Sequence, residues 1–219
     1  MSDNAKDFTP LGRTGMAARV AQDIPAGWYV NLGIGIPTLV ADHVPPEREV
    51  VLHSENGILG MGPAPEPHRE NPWLVNASTQ RVTIRPGGSY VDHASSFAIV
   101  RGGHLDLCVL GGFQVARNGD LANWSQSASD VGRQIGGAMD LAVGAKRVWV
   151  VMEHVTKDGR PRILERCTYP LTAARCVSRI YTNLAVLDVI PDGLAVVDMV
   201  EGLSFDDLQA RTEATLRRA

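Results

Sequence analysis

This chain spends little on cysteine, on aromatic residues or on surplus charge. Among its 219 residues are three cysteines, Cys108, Cys167 and Cys176, an odd number with no close CxxC spacing. That argues against a disulfide framework or a cysteine zinc site, and reduced thiols suit a cytoplasmic protein. Basic side chains number 21 and acidic ones 24, for a formal net charge of −3. No basic field is present to hold a nucleic acid, so none is expected as a partner. The longest apolar runs, such as 105–115, fall well short of the ~20 residues that cross a bilayer, so no membrane partner is expected. Residues 1–10 are polar, with Asp3, Asn4, Lys6 and Asp7, and lack the apolar stretch of a secretion signal. His43, His68, His93, His104 and His154 are scattered without ligand spacing, and no metal is expected.

Apolar residues make up 44% of the chain and charged ones 21%, the balance of a soluble globular protein. The length suits a single domain over 1–219, with residues 1–12 expected to be flexible. Met16, Ala17, Val20, Ala21 and Ile24 recur at helical spacing, which predicts a helix over Thr14–Ile24. A strand is predicted over Trp28–Leu32, then a helix opened by Pro37 and running through Val44. Glu49–Glu55 reads as a strand and 60–72 as a loop dense in proline and glycine. Arg81–Ile84 is a candidate short strand before a Pro86-Gly87-Gly88 turn. Phe97–Arg101 reads as helix, Leu105–Leu110 as strand, Ile135–Ala145 as helix and Arg147–Glu153 as strand. Leu184–Ile190 and Leu194–Val200 flank Pro191-Asp192-Gly193, a hairpin signal. Ser204 and Asp207 form a capping box ahead of a final helix, Phe205–Arg217. Apolar strands alternating with helices predict an α/β fold: an open, mostly parallel sheet covered by helices on both faces, with a late antiparallel hairpin.

Ligands of open α/β sheets sit beyond the carboxyl ends of strands. Two predicted strand ends carry polar groups there: Asn31 within Trp28–Gly33, and Ser54-Glu55-Asn56-Gly57 after Val50–His53. From the residues alone Glu55 reads either as a carboxylate facing substrate or as a turn cap or surface ion-pair member. Gly33-x-Gly35 is half of a dinucleotide fingerprint, with Thr38 at the third glycine position. It reads equally as a tight strand-to-helix turn or as a close approach to an acyl or phosphate group. His53-x-Glu55 matches part of a zinc deaminase motif whose P-C-x-x-C is missing. No G-x-S-x-G elbow is present.

Several longer strings bear a resemblance. Val30–Thr38, Ser54–Pro63, Arg101–Asp106, Gly119–Trp124 and Gly136–Leu141 occur in the order found in the family I CoA transferases. The chain resembles the β subunit of the 3-oxoacid type from about Met16 to Glu201. Cys167–Thr172 and Val177–Thr182 resemble the 3-oxoadipate branch. The resemblance implies the CoA-transferase fold and transfer of CoA from succinyl-CoA to a 3-oxo acid, 3-oxoadipate favoured. It implies Glu55 as nucleophile and Asn31 as an oxyanion donor, both catalytic. Gly33, Gly35, Ser54, Asn56, Gly57, Gly136, Gly137 and Ala138 would bind substrate and CoA. A CoA transferase α subunit would complete a heteromer, and the acyl-CoA and a small carboxylic acid would be its ligands. The CoA thioester is a substrate, so no cofactor is implied. Acetoacetate, butyrate or acetate as acceptor, and a non-catalytic acyl-CoA-binding subunit, are the alternative readings. Thr79 stands where relatives carry lysine, Ser95 where an acidic residue is common, and 125–133 lacks a P-G-K run. These departures bear on acceptor choice and leave Glu55 in place.

Overall fold

The computed structural model describes residues 8–127, 129 and 134–218. Residues 1–7 of the expected flexible start lie outside them, as do 128 and 130–133 of the divergent 125–133 stretch. Leu11 N–H donates to Asn183 O at 2.8 Å, and the Phe8 ring lies beneath the Arg211 guanidinium.

Helix α1 (Arg13–Asp23) buries Met16, Ala17, Val20 and Ala21, the apolar positions that predict it. Strand β1 (Tyr29–Leu32) follows, and then a 3₁₀ segment, Ile36–Asp42, where an α-helix through Val44 is expected. Strand β2 (Val51–Ser54) precedes β3 (Ile58–Met61), absent from the sequence prediction, and β4 (Ile84–Tyr90), which begins where the expected Arg81–Ile84 strand ends, Arg81 itself making only an isolated bridge to Val75. Pro86-Gly87-Gly88 therefore lies inside a strand rather than in a turn. The sheet tolerates it because β4 is an edge, where a residue without N–H leaves no ladder bond unmade.

Helix α2 (His93–Arg101), β5 (Leu107–Gly111), β6 (Gln114–Ala116), β7 (Leu121–Ala122) and α3 (Ala138–Gly144) come next. After them run β8 (Val148–Met152), β9 (Ile163–Leu164), β10 (Val177–Thr182), β11 (Ala185–Ile190) and β12 (Gly193–Met199). Helix α4 (Phe205–Ala210) is capped by Ser204, whose Oγ accepts from Asp207 N–H. It stops short of the predicted Arg217 because Leu216–Arg218 form β13, and tertiary pairing with β12 overrides helix propensity there.

Ten strands make one sheet in the order β13-β12-β11-β10-β8-β5-β1-β2-β3-β4. The centre from β10 to β2 is parallel, the β11–β12 hairpin is antiparallel, and so are β2–β3 and β3–β4. Side chains alternate between two apolar layers. Leu107, Val109, Trp149 and Val151 pack with α1, while Cys108, Leu110, Val148 and Val150 pack toward α2 and α3. Both faces of the central strands are thereby covered, which is why they read as continuous apolar runs. A second sheet, β7-β6-β9, stands beside the carboxyl ends of the first.

Candidate active site

Parallel register sets Asn31 of β1 beside His53 of β2 on one side and Cys108 of β5 on the other. Three strands thus place one polar residue each at the same level of the sheet, on the face that α2 covers. Asn31 is 0% exposed, His53 1%, Cys108 0% and Ser96 of α2 0%. Buried polar groups must be paired, and these are. The Cys108 thiol donates to Asn31 Oδ1 at 3.6 Å. Asn31 Nδ2 donates to His53 Nδ1 at 3.0 Å and lies 3.3 Å from the His53 carbonyl oxygen. Since Nδ2 can only donate, His53 carries its proton on Nε2, which donates to Ser96 Oγ at 3.0 Å. Burial lowers the His53 pKa to about 4, so the ring is neutral at neutral pH. Burial also pushes the Cys108 thiol well above its ordinary range, and the nearby Glu55 charge adds to the rise.

Glu55 follows β2 directly, and its Oε2 accepts from Asn31 Nδ2 at 3.4 Å. The turn that carries it is fixed from three sides. Gly57 N–H donates to Ser54 O, Val91 N–H donates to Gly57 O, and Asn56 Nδ2 donates to Val75 O. Gly57 has φ +114°, and a Cβ there would stand 2.2 Å from Val91 O, so only glycine fits. Ser54 Oγ accepts from Ala77 N–H.

Glu55 opens into a cleft of about 630 Å³. Of the sequence-predicted residues, Gly33, Glu55, Gly136, Gly137 and Ala138 line it. Asn31 reaches it through Glu55, while Ser54, Asn56 and Gly57 instead hold the turn. Gly35, with φ +95°, opens the 3₁₀ segment, and Thr38 Oγ1 donates to its carbonyl at 2.7 Å. Gly136 and Gly137 precede α3, and a Cβ on Gly137 would meet the Phe97 ring at 2.8 Å. The cleft is also lined by Glu153 after β8, by Trp124, and by Arg162. Sequence reasoning misses His53, Cys108, Ser96 and Glu153 as site residues. The usable signal is a polar residue ending an apolar strand, as in Val50-Val51-Leu52-His53, and it needs strand register to be interpreted. Among the described residues no cluster of three His, Cys, Asp or Glu could hold a metal ion, and no helix is long and apolar enough to cross a membrane.

A carboxylate at a strand mouth, beside a buried amide donor and a glycine-lined cleft, suits acyl transfer through a covalent intermediate. The sequence profile described as Coenzyme A transferase matches residues 13–210, and this chain belongs to that family. It is 57% identical over 209 residues to the B subunit of the 3-oxoadipate CoA-transferase of Acinetobacter baylyi, covering 95% of this chain and 96% of that one. The Pseudomonas putida protein of the same name is 57% identical over 199 residues, covering 91% and 93%. An acyl-CoA transferase of Escherichia coli O157:H7 has the same fold, with a TM-score of 0.75 at 20% identity. That alignment takes in 97% of this chain but 43% of the longer E. coli one.

Proposed function

We propose that this chain is the β subunit of a 3-oxoacid CoA-transferase that works with an α subunit. It moves CoA from succinyl-CoA to a 3-oxo acid, with 3-oxoadipate the favoured acceptor. The observation that carries this reading is the Glu55 carboxylate in the cleft, held 3.4 Å from the buried Asn31 amide. The identity to two 3-oxoadipate transferase subunits supports the choice of acceptor.

The chemistry needs no activating base, because a carboxylate is already nucleophilic at neutral pH. Glu55 attacks the thioester carbonyl, the C–S bond breaks, and a mixed anhydride and CoA thiolate result. The thiolate then attacks the Glu55 carbonyl, leaving a glutamyl-CoA thioester and releasing the donor acid as its carboxylate. The acceptor carboxylate repeats both steps in reverse. Acyl energy is conserved throughout, so neither ATP nor a resident cofactor enters the balance. Each attack builds negative charge on a carbonyl oxygen, and the Asn31 side-chain N–H beside Glu55 is the donor assigned to it in this reading. Loss of such a donor typically costs on the order of 3 kcal/mol of barrier. Gly136 and Gly137 allow the acyl group close approach and help keep water from the anhydride.

Intact mass spectrometry tests the mechanism. Succinyl-CoA alone is expected to leave CoA covalently attached to this chain, and Glu55→Gln is expected to remain unmodified and inactive while still assembling. Unmodified wild-type chain under conditions of turnover overturns it. Initial rates with 3-oxoadipate, acetoacetate, butyrate and acetate test the acceptor, and a higher kcat/KM for any of the last three displaces 3-oxoadipate. Free CoA without a new thioester marks a hydrolase instead.

A further inference from the structure

We propose that His53 is a positioning residue, which together with Cys108 fixes the end of the Asn31 carboxamide that faces Glu55. The proposal rests on the reaction above and adds to it the means by which the amide is held ready.

A carboxamide has two ends of nearly equal size, and only its N–H end can stabilise an oxyanion. Here each end has its own partner. The Cys108 thiol donates to Oδ1, and His53 Nδ1 accepts from Nδ2 at 3.0 Å. A half-turn of the amide would set Oδ1 against the lone pair of His53 Nδ1 and the charge of Glu55. It would also leave Nδ2 facing a thiol. Buried polar groups left unmatched in this way are costly. His53 can perform this role in one tautomer only, and the Ser96 hydroxyl accommodates that tautomer by accepting from Nε2 at 3.0 Å. Nδ2 has two hydrogens. One goes to His53 Nδ1, and the other lies between the His53 carbonyl oxygen at 3.3 Å and Glu55 Oε2 at 3.4 Å, on the side of the nucleophile.

Packing alone does not call for this arrangement. Asn31 is flanked along β1 by Val30 and Leu32, and His53 follows Val51 and Leu52 along β2. Apolar residues would fill both places without the desolvation that buried amides and imidazoles incur. A fully satisfied polar row inside a sheet fixes orientation, and the orientation it fixes points at the nucleophile.

The test uses the heteromer of this chain with its partner subunit. Wild type is first exposed to succinyl-CoA, and failure to form the covalent adduct overturns the Glu55 mechanism itself. Where the adduct forms, His53→Leu is expected to lower kcat ~30-fold with KM for succinyl-CoA within about two-fold, as a loss confined to the transition state requires. His53→Asn keeps an acceptor near the place of Nδ1 and is expected to recover kcat to within about five-fold of wild type. The decisive comparison is His53→Leu combined with Asn31→Ala. If His53 acts through the amide, the double variant is no slower than Asn31→Ala alone. Effects that multiply, or a folded His53→Leu enzyme with wild-type kcat, overturn the proposal. Should His53→Leu not fold, Ser96→Ala and Cys108→Val are read in the same way. Wild-type kcat in both then overturns it.

Discussion

Nδ2 of Asn31 and Oε2 of Glu55 lie 3.4 Å apart, joining the middle of one strand to the residue just past the end of its neighbour. The contact is longer than an optimal hydrogen bond.

Shortening Glu55, the proposed nucleophile, should expose how much depends on that spacing. Glu55→Asp keeps the charge but withdraws the carboxylate by one methylene. A misplacement on the order of 1 Å costs ~100-fold in rate, so kcat should fall by at least that while Glu55→Gln gives none. Steady-state kinetics with succinyl-CoA checks this, and an aspartate enzyme within about ten-fold of wild type contradicts it.

Gly57 makes a prediction about stability. With φ +114° and Val91 O only 2.2 Å from where an added methyl would stand, Gly57→Ala must shift backbone on one side or the other. The expected loss is above about 2 kcal/mol, seen as a lower urea midpoint, with kcat falling as Glu55 moves. A variant with an unchanged midpoint shows that the turn relaxes freely.

Stability should also depend on pH through two buried imidazoles. His53 and His154 both have pKa values lowered by burial to about 4, and Arg211 adds to the effect at His154. Unfolded, each titrates near 6.5, so the unfolded chain takes up its protons first as pH falls. Stability is then complete above pH 6.5 and lost between 6.5 and 4, by on the order of 3 kcal/mol for each ring. Urea unfolding at pH 7, 6 and 5 measures the slope, and His154→Gln should reduce it by about one proton's worth. An unaltered slope means His154 is not the group taking up a proton.

The thiols should be slow to react. Burial is the first cause in all three, raising Cys167 to about 12, Cys176 to about 11 and Cys108 well above the ordinary range. Little thiolate exists at pH 8, so iodoacetamide should label the native chain slowly and all three cysteines after denaturation. Rapid labelling of Cys108 in the folded protein would mean that the row beside Asn31 opens to solvent.

Strands buried on both faces are legible in the sequence because continuous runs such as Leu105–Leu110 and Arg147–Glu153 have no other use. The edges are not. Ile58–Met61 is too short to read as a strand beside its glycines, and Pro86-Gly87-Gly88 signals a turn in any position except a sheet margin. Pro37 marks the opening of a helical segment, but the segment is 3₁₀ over Ile36–Asp42. Glu55 is visible as a charge at a strand end. Its supporting residues are not, since His53 and Cys108 lie 22 and 77 positions from Asn31 and meet it only through register.

Helix α2 touches the Glu55 turn by two separate routes. One runs from Ser96 through the His53 ring, the other from Val91 at the helix entrance to the carbonyl of Gly57. A tilt or slide of α2 therefore carries the turn and the amide row along as one block, with their mutual geometry preserved. The same helix also reaches the other wall of the cleft, where its Phe97 ring lies against Gly137 ahead of α3 and its Arg101 pairs with Asp140. Displacement of α2 is therefore felt on both sides of Glu55.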